Sequence, residues 1–287
     1  MRVTSRMIKT SHADIAVSET SGKGLPVLFL HGNSSCKEVF HHQLNGMIGE
    51  KYRLIAIDLP GHGASSDAFD PARTYTMPGY AEAAVELLET MGVDRAAVYG
   101  WSLGGHIALE MLPRFPGLVG MMLSGTPAVG QGAEKVMAGF KPNPNAGIVG
   151  KPELTPEEVE ILLYATYGGP VDAAIRAALM RTDGRARAIM FQSLLSGQIS
   201  DQRALAENTD IPIAIVNGAD DLLVNLEYVG GLAYRNLWDK HCFTFRGAAH
   251  APFLQAQNAF DPIFSRFLSD MQKKAQTTGK RSKIAAA

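Results

Sequence analysis

Val98-Tyr99-Gly100-Trp101-Ser102-Leu103-Gly104-Gly105 sets one serine where a buried strand must turn abruptly into a helix. Upstream, Ala96-Ala97-Val98-Tyr99 reads as a short buried strand. Downstream, Leu103 to Pro113 carries apolar residues at helical spacing, Ile107, Leu109 and Met111 among them. In a G-x-S-x-G elbow the serine takes a strained backbone conformation, and Gly100 and Gly104 lack the Cβ atoms that would collide as strand and helix close together. The strain leaves the Ser102 hydroxyl exposed. The helix N-terminus just after it offers free N–H groups to an oxyanion.

Working outward, short apolar runs recur with helical segments between them: Asp14 to Val17, Val27 to Leu30, Leu54 to Ile57, Ala96 to Tyr99, Met121 to Ser124, Ile211 to Val216 and Cys242 to Phe245. This rhythm predicts an α/β fold with a mostly parallel sheet covered by helices on both faces. It fails between about Pro127 and Asp210, where a Gly/Pro-rich opening is followed by helical stretches. Thr155-Pro156-Glu157-Glu158 is a helix start, with a capping residue, proline at the first position and carboxylates in the first turn. Further helices are expected over Val171 to Thr182 and Arg185 to Leu195. The expected organisation is a core of residues 1–127 and 210–271, an inserted helical cap over 128–209, and a disordered polar and basic tail over 272–287 whose last residues, Ile284 to Ala287, read as an appended end.

With 287 residues, of which 46% are hydrophobic and 19% charged, the chain can bury a large core. A net charge of −1 gives no reason to expect nucleic acid or an anionic membrane as partner, and a small neutral substrate fits better. Cys36 and Cys242 are too few for a disulfide framework. No close Cys/His cluster suggests a metal, and no cofactor is expected. No signal-peptide apolar region follows the N-terminus and no apolar run is long enough to span a bilayer. The expectation is a soluble, cytoplasmic protein without stable membrane association.

A serine hydroxyl needs a base within hydrogen-bond reach and an acid to orient that base. His250, in the small-residue loop Gly247-Ala248-Ala249-His250-Ala251-Pro252-Phe253 after the last expected strand, is the candidate base. His106 lies on the helix behind Ser102 and reads as a satisfied packing residue. His12, His41, His42 and His241 read as surface or structural. The strand Ile213 to Val216 runs into Asn217-Gly218-Ala219-Asp220-Asp221, where Asp221 fits a Gly-x-x-Asp spacing. Asp220 is the alternative acid, its other role being turn capping. Leu28-Phe29-Leu30-His31-Gly32-Asn33 ends a strand in His-Gly, so the Asn33 N–H is the expected oxyanion donor beside that of Leu103. Gly32, Asn33, Trp101 and Tyr164 are expected to touch substrate, with Met137, Phe140 and Tyr167 as further wall positions.

Taken together, His31-Gly32, Asp58 to Ser65, Gly100 to Gly104, Asp221 and His250 resemble the α/β-hydrolase family across about 260 residues. In that family the order is nucleophile, acid, histidine. The resemblance implies that Asp58 to Ser65 is a structural turn, and the serine at 102 sets the chain apart from relatives with an aspartate nucleophile. A narrower resemblance, to metal-independent N-acyl-homoserine lactonases of this fold, is carried by Thr10-Ser11-His12, His31 to Ser35, Gly100 to His106, Arg181 to Arg187, Asn236-Leu237-Trp238 and His250-Ala251-Pro252-Phe253. It implies a substrate with an acyl chain, opened through Ser102, His250 and Asp221 in a monomer or weak homo-oligomer. The Arg181 to Arg187 string, inside the insertion, is expected to bear on substrate preference. Aspartate at the acid position, where that group can use glutamate, and Ala249 before His250 depart from its pattern. Other ester or carbon–carbon bond hydrolases, and a receptor that binds without turnover, are the competing readings.

Overall fold

The apolar runs pair into a single eight-stranded sheet. A computed structural model describes the backbone of residues 2–285 and the side chains of residues 2–277. The strands are β1 Val3–Lys9, β2 Asp14–Thr20, β3 Pro26–Leu30, β4 Arg53–Ile57, β5 Ala96–Trp101, β6 Leu118–Ser124, β7 Ile213–Gly218 and β8 Leu237–Phe245, in the order β1-β2-β4-β3-β5-β6-β7-β8. β1 pairs antiparallel with β2, and β2 antiparallel with β4; every other pairing is parallel. β5, which leads into Ser102, therefore sits near the middle, between β3 and β6.

Both faces of the parallel strands β3 to β7 are buried, and the side chains divide with the period of two that a pleated strand imposes. In β3, Leu28 and Leu30 face one layer, together with Val98 of β5 and the helices α1 Met77–Thr90 and α2 Leu103–Glu110. Val27 and Phe29 face the other, where Phe29, Phe40, Tyr99, Phe253, Phe260 and Phe264 form an aromatic cluster with ring centroids 5.1–6.3 Å apart. Edge-on and tilted ring pairs of this kind add to plain area burial.

Between β6 and β7 the chain forms α3 Ala133–Ala138, α4 Pro156–Tyr167, α5 Ala173–Arg181, α6 Gly184–Leu195 and α7 Gln202–Asn208. α4 starts as its sequence predicts: Thr155 accepts from the Glu158 N–H and the Glu158 carboxylate accepts from the Thr155 N–H, a complete capping box. The buried Arg187 is the knot of this segment. Its guanidinium donates to the carbonyls of Lys151 and Pro152 at 2.8 Å and to those of Thr182 and Leu179 at 3.4 and 3.5 Å.

Three features depart from expectation. β1 had no signal, because its residues are almost all exposed and show no apolar alternation. β8 begins at Leu237, ahead of the apolar run at Cys242. Its pairing with β7 jumps from Ile213↔Leu237 to Ile215↔Cys242, and Asp239 and Lys240 in the gap have φ of 58° and 52°. Of the tail expected to be disordered, residues 272–285 instead continue a long helix, α8 Gln257–Ala285. Phe260, Phe264, Phe267, Leu268 and Met271 bury one side of it against the sheet, and Gln272 Oε1 accepts from the Leu25 N–H at 3.0 Å. The appended-end reading of Ile284 to Ala287 falls partly outside the described residues.

Candidate active site

Ser102 has φ 55° and ψ −118°, a conformation that L-residues avoid and that costs on the order of 1–3 kcal/mol. It is held there from several sides. Its N–H donates to the Ser124 carbonyl at 2.8 Å, and its carbonyl accepts from the Thr126 hydroxyl at 2.9 Å and the Gly105 N–H at 2.9 Å. The flanking glycines are obligatory by space. A Cβ on Gly100 would lie 2.5 Å from the Gly104 carbonyl oxygen, and one on Gly104 only 2.1 Å from that of Leu30. Closing strand onto helix this tightly brings Ser102 beside the β3 loop that carries Gly32 and Asn33.

His250 reaches the site from the loop after β8 and is almost wholly buried. Its Nδ1 lies 2.8 Å from Asp221 Oδ2. Asp221 Oδ1 accepts from the N–H groups of Leu223 and Val224 at 2.7 and 3.1 Å, which fixes the carboxylate from behind. Burial alone would raise the Asp221 pKa; the adjoining His250, with the hydrogen bonds from it and from those two amides, outweighs this and holds it below the usual carboxylate range. Nδ1 therefore carries the proton in the neutral ring, which leaves Nε2 as a base. That Nε2 is buried and has no hydrogen-bond partner among the described residues. Asp220, the alternative acid, accepts instead from the Gly247 N–H at 3.0 Å and closes the turn.

Two lobes of one cleft meet at Ser102 and His250, and both are also lined by Asn33. The larger lobe, about 980 Å³ and open to solvent, runs between Met77, His106, Val136, Phe140, Met190 and Leu194. The smaller, about 600 Å³, runs past Gly32, Trp101, Tyr167, Ile175 and Leu179. Leu103, the first residue of α2, lines the larger lobe; its N–H has no preceding turn of helix to donate to and is available at the site. The Asn33 side chain donates to the Val149 carbonyl at 3.1 Å, tying the β3 loop to the segment above it.

Most of the expected site residues are thus brought together. Tyr164 is not: it is 61% exposed and lines neither lobe. α4 turns Val159, Leu163 and Tyr167 inward, and Tyr164 falls on the opposite side. The Arg181 to Arg187 string lines neither lobe as well. Arg181 donates to the Ser65 carbonyl at 2.9 Å, the Asp183 N–H to the Gly61 carbonyl at 2.9 Å, and the Tyr75 hydroxyl to Asp183 at 2.6 Å. The string clamps the inserted segment onto the 58–65 turn. That turn is built on Asp58, which accepts from the Lys37 N–H, the Lys37 ammonium and the Ala64 N–H at 2.7–2.8 Å.

Two further roles at the site went unread in the sequence. The Trp101 indole N–H donates to the His250 carbonyl at 2.8 Å, so this residue holds the His250 loop as well as walling the cleft. Gly125, with φ 61°, leaves room for the imidazole: a Cβ there would sit 2.6 Å from His250 Cε1. The signal available was its place directly after β6, at the carboxyl edge of the sheet.

A family model described as the alpha/beta hydrolase family matches residues 27–261. The chain is an α/β-hydrolase. Among solved structures, this hydrolase is similar to the N-acyl homoserine lactonase AidH, in a glutamate-to-glycine mutant complexed with N-hexanoyl homoserine. Identity is 43%, the TM-score is 0.91, and the match covers 94% of this chain and 98% of that one. A serine-to-glycine mutant of AidH complexed with N-hexanoyl homoserine lactone matches at the same identity and TM-score, over 94% and 99% of the two chains. A pimeloyl-[acyl-carrier protein] methyl ester esterase of Neisseria meningitidis is 26% identical over 248 residues, 84% of the hydrolase and 93% of the esterase. An uncharacterized protein of Mycobacterium tuberculosis is 30% identical over 118 residues, which is 40% of this chain and 33% of that protein.

Among the described residues no helix of the hydrolase is long and apolar enough to cross a membrane.

Proposed function

We propose that this α/β-hydrolase opens the lactone ring of N-acyl homoserine lactones, using Ser102 as nucleophile, His250 as general base and acid, and Asp221 as the group that orients the imidazole. The observation that carries the reading is the two-lobed cleft at Ser102, joined to a 43% identical likeness to a lactonase over nearly the whole of both chains. A substrate with two unlike ends, a small polar ring and an apolar chain, matches two unequal lobes meeting at a nucleophile. The chain occupies the larger lobe and the ring the smaller, with the segment of residues 128–209 acting as the cap that closes over both.

In this mechanism Ser102 Oγ attacks the lactone carbonyl as His250 Nε2 takes the hydroxyl proton. The N–H groups of Asn33 and Leu103 receive the oxyanion, an interaction worth about 10²- to 10³-fold in rate per donor. Collapse of the tetrahedral intermediate breaks the ring C–O bond, and His250 returns its proton to the departing ring oxygen. The opened homoserine stays attached as part of the acyl-enzyme. Water, deprotonated by His250, then attacks the acyl carbonyl, and Ser102 leaves with the proton that His250 returns. Aspartate at 221 in place of a glutamate shortens the acid's reach without changing its chemistry.

The test is to treat the protein with chelator, add N-acyl homoserine lactones of several chain lengths, and follow ring opening by mass and by proton release. Turnover that disappears in Ser102→Ala supports the reading. Rapid cleavage of simple esters with every lactone left closed points to another ester hydrolase, and tight binding without turnover to a receptor.

A further inference from the structure

His106 was expected to be an inert packing residue, and half of it is. It lies on α2 about one turn beyond Ser102, about 6 Å further along the helix axis, and is 4% exposed. Its Nδ1 sits 2.7 Å from Gln202 Oε1. The orientation of that amide is fixed from its other end. Gln202 Nε2 faces Glu110 Oε1 at 3.1 Å, an oxygen that already accepts the Ser200 N–H at 2.9 Å. An oxygen receiving a backbone N–H needs a donor from Gln202, so the NH₂ points to Glu110 and the amide oxygen points to His106. The proton of His106 therefore resides on Nδ1.

The other nitrogen has no such partner. Nε2 makes no hydrogen bond among the described residues, and the ring lines the larger lobe with Met77, Val136, Phe140, Met190 and Leu194. Burial holds the His106 pKa below its usual value, against the raising effect of Gln202 and Glu110, so the ring is neutral near pH 7. Among these apolar side chains the lobe thus holds, apart from the polar groups at Ser102 and His250 and those elsewhere on its wall, a bare acceptor locked in its tautomer by Gln202 and Glu110.

We infer that His106 is a specificity-determining residue that accepts a hydrogen bond from a hydroxyl on the acyl chain, selecting hydroxylated acyl groups over unsubstituted and oxo-substituted ones. This rests on the proposed lactonase reading. A hydroxyl a few bonds beyond the scissile carbonyl, at the third carbon of the acyl chain, meets Nε2 as a donor. A methylene leaves the acceptor dry and unpaired, and a ketone there leaves it unpaired and presents lone pairs to its lone pair, which is the larger cost.

The experiment compares kcat/KM for 3-hydroxy, 3-oxo and unsubstituted acyl homoserine lactones of equal chain length, in the native protein, in His106→Phe and in Gln202→Leu. Each preference is read as a ratio within one variant, so a general loss of activity cancels. The native protein is expected to favour the hydroxylated chain about tenfold over the unsubstituted one, and the oxo chain least. His106→Phe brings the ratios toward one. Gln202→Leu, which lines neither lobe and frees the tautomer, gives an intermediate ratio. Nitrogen NMR of the native protein is expected to show His106 protonated at Nδ1. Protonation at Nε2, a native ratio near one, or a ratio kept in His106→Phe overturns the inference. A bond from the amide N–H of the substrate would weaken all three chains alike in His106→Phe and leave the ratio unmoved, which also overturns it. Closed rings with every lactone defeat the lactonase reading and this inference together, whereas unsubstituted lactones opened without hydroxyl discrimination defeat this inference alone.

Discussion

Asp221 touches no substrate in the proposed reaction, yet the imidazole depends on it for tautomer and direction. Asp221→Asn keeps the shape but puts an amide against Nδ1, and with two backbone N–H groups already on Oδ1 the NH₂ is turned to the ring. Nε2 then carries the proton and cannot act as base. A loss of about 10⁴-fold in kcat, with the thermal unfolding curve little changed, is expected; a loss below tenfold removes Asp221 from its role. At this scale the sequence was most readable where a residue type and a strand end coincide, as for Ser102, Asn33, Asp221 and His250. Tyr164 was misread because an aromatic residue on a helix has no address until the phase of the helix is set. Counting four from Val159 to Leu163 and four more to Tyr167 would have turned Tyr164 outward.

Elements explain how these residues come to meet. The approach of α2 to β3 leaves no room at Gly104, so Gly104→Ala forces a carbonyl of β3 aside and is expected to cost about 3 kcal/mol and to displace the Asn33 loop. Chemical denaturation and esterase activity read the two effects; a variant with native midpoint and rate contradicts the packing argument. Arg187 plays the corresponding part in the inserted segment. Arg187→Met fills similar space but leaves four carbonyls short of a donor, for an expected loss of about 2 kcal/mol and a KM raised more than kcat is lowered, since the lobes lose their upper wall before the nucleophile moves. Sheet strands buried on both faces were legible from their apolar runs. β1 was not, because an exposed edge strand is chosen by its backbone pairing with β2 and carries no apolar pattern. The end of α8 was hidden for a related reason: its polar residues extend a helix already anchored by Phe260 to Met271, so what fixes them lies upstream.

Over the whole molecule, pH acts through buried histidines that take no part in the proposed proton transfers. Burial drives His31 to about 4 and His62, whose neighbour is His31, to about 3, both from an ordinary 6.5. His31 is neutral by construction, donating from Nδ1 to the Gly32 carbonyl at 2.7 Å and accepting the Leu59 N–H on Nε2 at 3.0 Å. The folded chain thus binds fewer protons than the unfolded one below pH 6.5. Stability from these rings is complete above pH 6.5 and declines as pH falls toward about 4 for His31 and about 3 for His62, by up to about 1.4 kcal/mol per pH unit for each. Urea midpoints taken downward from pH 6.5 should fall accordingly; a flat profile to pH 4 rules the account out. The irregular strand β8 bears on the molecule's company. Its gap residues Asp239 and Lys240 turn into the left-handed region, and Arg266 lies over the Trp238 ring at 4.8 Å while also pairing with Asp239. A strand from a second copy seeking to extend the sheet here finds a charged kink where a straight ladder of N–H and C=O groups is needed. The sheet is in effect finished at that edge, and self-association on that side has to use helices.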